Sequence, residues 1–378
     1  MRALVVANRA PDPRGPGDAK MAGKVVEALA RRGATVQVEH GRPLTHAARA
    51  RGLAGAIATG APLQLGLTAS AEFARRVASA CGSGDFDVIV AVHARAARYV
   101  PARHRARALA LIVDSYGLNY ATYRGRLPLP LDLVYRSEAR RMARLEAAIA
   151  REFGAVGLVA PADAAALGAA AGGAGWIVQL PDAVDVDYFD LRPAAPQPAR
   201  PVLVFTGRLS YTPNADAAAD LVTRIWPPMR RRWPNAELRI VGARPARGLV
   251  RLAERAGARV HADVADIRVH LAAATTALAP VRMGGGVQAK VLEAMAMGVP
   301  VVCSPFANRG IGAAAEDEVL LADTAEQYVG QVERILADPA ATARRAAAAR
   351  RLVRTRYAPE LFRERLLSVC ESLAGAPR

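Results

Sequence analysis

At 378 residues the chain is too long for one ordinary domain and fits two. Apolar residues make up 52% of it, ample for two cores, yet no run of ~18 strongly apolar residues occurs, which excludes a membrane-spanning helix. The net charge is +17, but aromatics are only 5% and no motif interleaves them with the arginines, which argues against a nucleic-acid partner.

The charge is uneven. Residues 1–180 carry 24 Lys/Arg against 13 Asp/Glu, and the remainder 27 against 21. Such a surplus suits an anionic membrane surface or an acidic acceptor, or reflects only an arginine- and alanine-rich composition. The start, MRALVVANRAPD, lacks the long apolar region and cleavage site of a signal peptide. Cys81, Cys303 and Cys370 are odd in number and widely spaced, fitting neither a disulfide framework nor a zinc site. The expectation is a cytoplasmic protein, peripheral on the inner membrane face if the basic half meets lipid.

In chain order, Ala3 to Ala7 reads as a buried strand, followed by the loop RAPDPRGPGDAK and a helix to about Arg32. Gly33 ends that helix, and Thr35 to Val38 is the second strand. This βαβ pattern predicts a parallel sheet. The loop is not a G-x-G-x-x-G dinucleotide fingerprint. Asp87 to Val92 is a further strand with His93 just beyond its end, and Leu109 to Val113 delivers Asp114 to the same rim. Asp114 suits a base or hydroxyl-binding role, or simple helix capping. Leu131 to Phe153 is a long amphipathic helix with an apolar stripe (Met142, Leu145, Ile149, Phe153) and a basic one (Arg136, Arg140, Arg144). Val156 to Ala160 is expected to be the last strand of the first domain.

Leu180 to Pro201 is a proline-rich linker with little periodicity. The domains are therefore placed at 1–180 and 201–355, with 181–200 between them and a terminal helical segment, 356–378, after them. Two D-x-D triplets, Asp85-Phe86-Asp87 and Asp185-Val186-Asp187, invite a metal reading. The first lies at a strand start and the second in the linker, so no catalytic metal is expected. Val202 to Thr206 is a strand followed by Gly207-Arg208 and by Asn214, a natural helix N-cap. Glu237 to Val241 with Gly242, then Arg259 to Ala262, continue the alternation.

Thr275 to Ser304 carries most of the functional signal. It reads as strand, glycine loop (Gly284, Gly285, Gly286), helix from about Val287 to Met297, a stop at Gly298 and Pro300, and strand. This order puts a helix N-terminus at the carboxyl end of a parallel strand, where open α/β sheets bind phosphorylated ligands. Arg282 precedes the glycines, and Lys290 and Glu293 stand three apart on one helix face. A cation there suits a diphosphate, and a carboxylate one turn deeper suits a ribose hydroxyl pair. The alternative is a surface helix with an ordinary i, i+3 ion pair. Against it, Lys290 is one of three lysines in a chain with 48 arginines.

AP-x-R-x-x-x-G-x-x-x-K-x-L-E-A-M-A-x-G-x-P-V-V, Ala279 to Val302, resembles the donor-site segment of family 4 of the glycosyltransferases. The likeness is closest to a bacterial subgroup of sugar transferases from polysaccharide-export clusters, and is strongest from Pro201 to Asp323. It implies an α/β GT-B fold, two Rossmann-like doubly wound domains facing across a cleft, with acceptor bound by the first and donor by the second. It implies a retaining, metal-independent transfer from a nucleotide sugar to a glycan, lipid-linked or small-molecule acceptor, with no cofactor.

By the same resemblance Gly207 and Arg208 grip the phosphates with Lys290, and Gly242, Val264, Val291 and Glu293 frame the nucleoside. Asn214 stands where many members have a lysine, and Gly285 where they have a first glutamate. Gly17, Asp18, Lys20 and His93 fall on the acceptor and sugar side. PDAVDVDYF resembles the family hinge, with Asp182 and Ala183 at its usual N-G positions. RYAPELFRERLLSVCESL resembles a terminal helix that crosses back to the first domain. Rival readings are a GT-B nucleotide-sugar epimerase, which needs no acceptor, and a catalytically idle nucleotide-sugar-binding partner.

Overall fold

The structure is a computed structural model that describes residues 1–12, 17–182, 184–190 and 200–375. Contacts divide the chain into two units, Met1–Pro181 with Glu360–Arg378, and Asp182–Pro359. Each is built on one six-stranded parallel sheet with helices between the strands.

The first sheet holds β1 (Arg2–Ala7), β2 (Thr35–His40), β3 (Val88–Val92), β4 (Ala108–Val113), β5 (Ala155–Leu158) and β6 (Ile177–Gln179), in the order β2-β1-β3-β4-β5-β6. Its central strands are apolar runs, VIVAV in β3 and ALALIV in β4, because helices cover both faces of a parallel sheet. β6 corrects the expectation that residues 156–160 are the last strand: it pairs outside β5, Val156 opposite Ile177. Three half-buried residues behind Gly172, Gly173 and Gly175, all at positive φ, leave little sequence pattern for it.

The second sheet holds β7 (Val202–Thr206), β8 (Glu237–Gly242), β9 (Arg259–Ala262), β10 (Thr276–Ala279), β11 (Val301–Cys303) and β12 (Leu320–Leu321), in the order β12-β11-β10-β7-β8-β9. Its core gathers Phe205, Leu238, Ile240, Leu278, Val302 and the indole of Trp226. Of the expected linker, Ala183 and residues 191–199 lie outside the described residues. The part between is anchored to the second unit. Val184 and Phe189 enter its core, Val184 N donates to Tyr357 O at 2.9 Å, and Asp190 pairs with Arg350.

The helix Pro339–Arg356 stops before Tyr357, and a new one, Pro359–Ala374, belongs to the first unit. Arg32 pairs with Glu371 at 3.1 Å, Arg365 donates to Gln179 O at 3.2 Å, and Leu373 lies against Gly154. Among the described residues no helix is long and apolar enough to cross a membrane.

Candidate functional site

In the second sheet the strand order reverses between β7 and β10, and such a reversal leaves a crevice at the strands' carboxyl ends. Three chain segments converge there: Gly207-Arg208 after β7, Gly242 at the end of β8, and the glycine loop after β10. A Cβ on Gly207 would meet Asn214 Nδ2 at 2.9 Å and Lys290 Cε at 3.2 Å, so these three predicted residues are brought together. A Cβ on Gly242 would strike the carbonyl oxygen of Gly207. Gly284 and Gly286 sit at φ 111° and 65°, conformations that favour glycine, and Gly285 lies between them. Ser304 pins the start of the loop by donating from its hydroxyl to the carbonyl of Val281.

The helix Ala289–Ala296 opens at Gln288, two residues later than expected, with no side chain capping it. Its end is the expected one, with Gly298 just beyond at φ 71°. Lys290 Nζ donates to Gln288 Oε1 at 2.9 Å and lies 5.9 Å from the centre of the Phe205 ring. Desolvation lowers its ammonium to about 8, opposed by the nearby Glu293 carboxylate. The group is a cation at neutral pH that lacks the solvation a surface lysine has. Glu293 is half-buried one turn further on, and Val291 is buried in the core, leaving only its backbone to offer.

Arg208 is exposed and makes no ion pair among the described residues, while its carbonyl accepts from Asn214 Nδ2 at 3.0 Å. Asn214 is therefore not the expected N-cap. Tyr211 holds that position, and Asn214 instead ties the helix to the Gly207-Arg208 turn. Arg282 is committed to Asp220 at 2.9 Å, a carboxylate shared with Arg224 at 2.9 Å. The loop bearing Val264 is fastened to β8: Asp263 N donates to Gly242 O, and Arg244 N to Asp263 Oδ1, both at 3.1 Å.

In the first unit the order reverses between β1 and β3. Asp18, in the first turn of the helix Gly17–Arg31, pairs with Arg9 at 3.1 Å and Arg95 at 3.6 Å. His93 follows β3 at φ 72° and is buried. Desolvation, with Arg95 beside it, lowers its imidazole to about 4, so the ring is neutral at physiological pH. Gly17 and Lys20 are exposed, and a side chain at 17 would meet nothing within 4 Å. Asp114 is half-buried after β4, but the cap of the next helix is Ser115, whose Oγ accepts from Leu118 N at 3.1 Å.

Residues 200–338 match the family described as "Glycosyl transferases group 1". The fold is that of the GT-B glycosyltransferases. Sucrose-phosphate synthase from Thermosynechococcus elongatus superposes with a TM-score of 0.73 at 18% identity, over 100% of this chain and 99% of that one. HepE from Anabaena, solved with UDP-glucose, gives 0.64 at 15% identity over 98% and 100%. WaaG, a glycosyltransferase involved in lipopolysaccharide biosynthesis, gives 0.61 at 14% identity over 100% of both chains. No curated protein matches the chain in sequence. The family match spans β7 to β12, and so the whole crevice around Gly207 and Lys290.

One group escaped the sequence reading. Glu146, on the helix Leu131–Glu152, is 1% exposed and accepts from Ser115 Oγ at 2.6 Å and from the amides of Tyr116 and Gly117 at 2.7 and 3.4 Å. Desolvation raises its carboxyl to about 7, outweighing these bonds, and Asp163 adds to the rise. The signal was a carboxylate set within the apolar stripe, four residues after Met142 and three before Ile149. The D-x-D acids have local uses: Asp87 accepts from Arg2 N at 2.7 Å and Asp185 from Tyr188 N at 2.9 Å. Among the described residues no three His, Cys, Asp or Glu side chains gather as a metal-binding group.

Proposed function

We propose that the protein transfers a sugar from a nucleoside-diphosphate sugar to an acceptor hydroxyl, with retention and without a metal. One observation carries this reading: the contact of Gly207, Asn214 and a desolvated Lys290 at the strand-order reversal, beside a loop whose glycines let a ligand reach the backbone. When the glycosidic bond breaks, charge grows on the departing diphosphate. Donors fixed in advance at that place stabilise the transition state more than the ground state. Lys290, Arg208 and the amides of Gly284 to Gly286 take that role, Glu293 holds the ribose, and Gly242 and Val264 frame the base.

On the acceptor side, neutral His93 can give or take a hydrogen bond to a hydroxyl, and Asp114 orients the nucleophile. Retention rests on the resemblance to family 4 and is read from the anomeric proton coupling of the product. Freedom from metal is supported by the local use of Asp87 and Asp185.

HepE, solved with UDP-glucose, makes UDP the first nucleotide to test. A thermal-shift screen of UDP, GDP and dTDP is expected to show one clear response. A ligand at 100 times its Kd adds about 2.7 kcal/mol. The shift should be unchanged by EDTA. No response to any nucleotide would remove the assignment.

The reading extends to peripheral attachment at an anionic membrane. Leu129, Leu131, Leu133 and Val134 are 72, 43, 57 and 40% exposed at the start of the long helix Leu131–Glu152. Arg140 and Arg144 are exposed further along the same helix. The protein is expected to co-sediment with vesicles containing phosphatidylglycerol and not with pure phosphatidylcholine. Leu133→Asp should weaken this by roughly fourfold to tenfold, the loss of about half a leucine's transfer energy. Equal sedimentation with both vesicles would refute the electrostatic part.

A further inference from the structure

A pocket of about 700 Å³ opens at the carboxyl ends of β1, β2 and β3, within the first unit. That lies in the range of ~300–1,000 Å³ typical of ligand sites. Four of its lining residues are arginines, Arg9, Arg42, Arg49 and Arg95, against one carboxylate, Asp18. Asp18 is shared between Arg9 and Arg95 and cannot neutralise both. Arg42 is paired with Glu72 at 3.2 Å, and Arg49 has no carboxylate partner among the described residues.

Two donors in the lining, Arg95 Nε and Asn8 Nδ2, are buried without a hydrogen-bond partner. A buried donor left unpaired is unfavourable, and an acceptor brought in by a ligand relieves it. Leu44, Leu67 and Phe73 supply an apolar wall of the kind against which a sugar ring packs. A neutral sugar would leave the guanidiniums unpaired, whereas a carboxylate or phosphate accepts two parallel bonds from one.

We infer that the acceptor carries an oxyanion, a carboxylate or phosphate, seated by Arg95, Arg49 and Arg9 in this pocket. The acceptor role rests on the transferase reading above; the anion preference does not. The test compares methyl β-D-glucuronide, glucose 6-phosphate and neutral methyl β-D-glucoside against the full chain by calorimetry or ligand-observed NMR. One or both charged probes should bind at least tenfold tighter than the neutral one, with affinity falling as salt rises. Which charged probe wins separates a carboxylate acceptor from a phosphate one.

Arg49→Gln, at an exposed position, and Arg95→Gln should each shrink the preference several-fold. UDP affinity, measured alongside, should not move in either. Equal binding of neutral and charged probes, or a preference unchanged in both variants, overturns the inference. Should UDP bind while the preference is absent, only the inference fails. Should UDP fail to bind while the preference stands, the transferase reading fails and the anion pocket remains.

Discussion

Lys290→Ala is expected to lower kcat by roughly 10²–10³-fold, the loss produced by removing one preorganised donor from a site of developing negative charge. UDP affinity should fall with it. The geometry gives the reason. Lys290 reaches between Gly207, the Phe205 ring and Gln288, and no other ammonium in the chain lies near these residues in sequence. Lys290→Arg should rescue poorly, because a planar guanidinium presents its donors in a different geometry from a compact ammonium and Lys290 Cε already lies 3.2 Å from where a Cβ on Gly207 would stand.

A pH signature separates a phosphate contact from a structural one. Free Lys290 titrates at about 8, and a bound diphosphate favours the ammonium. UDP affinity should therefore be flat from about pH 7 to 8 and weaken as pH rises past 8, by up to about tenfold per unit. A constant affinity from pH 7 to 9, or full activity in Lys290→Ala, would sink the assignment.

Stability should move the other way. The folded value is depressed from 10.5 to about 8, so folding disfavours the protonated side chain. This cost is fully present below pH 8 and fades as pH rises from 8 to 10.5. Lys290→Met is thus expected to melt higher than the parent near neutral pH while losing activity. Loss of function with a gain of stability marks a cation kept for binding.

Gly242→Ala should be the most damaging small substitution in the second domain. The added methyl would run into the carbonyl oxygen of Gly207, main chain against main chain, with no flexible side chain able to yield. The expected result is a loss of about 1–3 kcal/mol in urea unfolding. UDP binding should weaken at least tenfold, because relief of the clash displaces the Gly207-Arg208 turn. Gly248→Ala is the control: it sits in the helix Arg247–Arg255 with open space around it, where alanine should be neutral or gain about 0.5–1 kcal/mol. Equal midpoints for the two variants would show that Gly242 is not required by packing.

What the sequence made legible follows from where the signal is local. Strands such as β3 and β4 are apolar along their whole length because both faces are covered, so composition alone marks them. The stop at Gly298 and the spacing of Lys290 and Glu293 are likewise written within a few residues.

Pairings between distant residues were not legible. Arg282 reads as a phosphate ligand beside three glycines, yet Asp220, 62 positions earlier, takes it. Asn214 reads as a cap, yet the preceding turn claims its amide. Glu146 looks like an ordinary helix carboxylate until the amides of Tyr116 and Gly117 close on it. β6 was too short, and too little buried, to leave a period.

The return of the helix Pro359–Ala374 to the first unit sets an order of events during synthesis. Leu366 and Cys370, fully buried, come from the end of the chain, while the second unit is continuous from Asp182 to Pro359. The half translated first must therefore wait, incomplete, until the half translated after it has already emerged from the ribosome. Its exposed apolar surface in that interval is the part of the nascent protein a chaperone would meet.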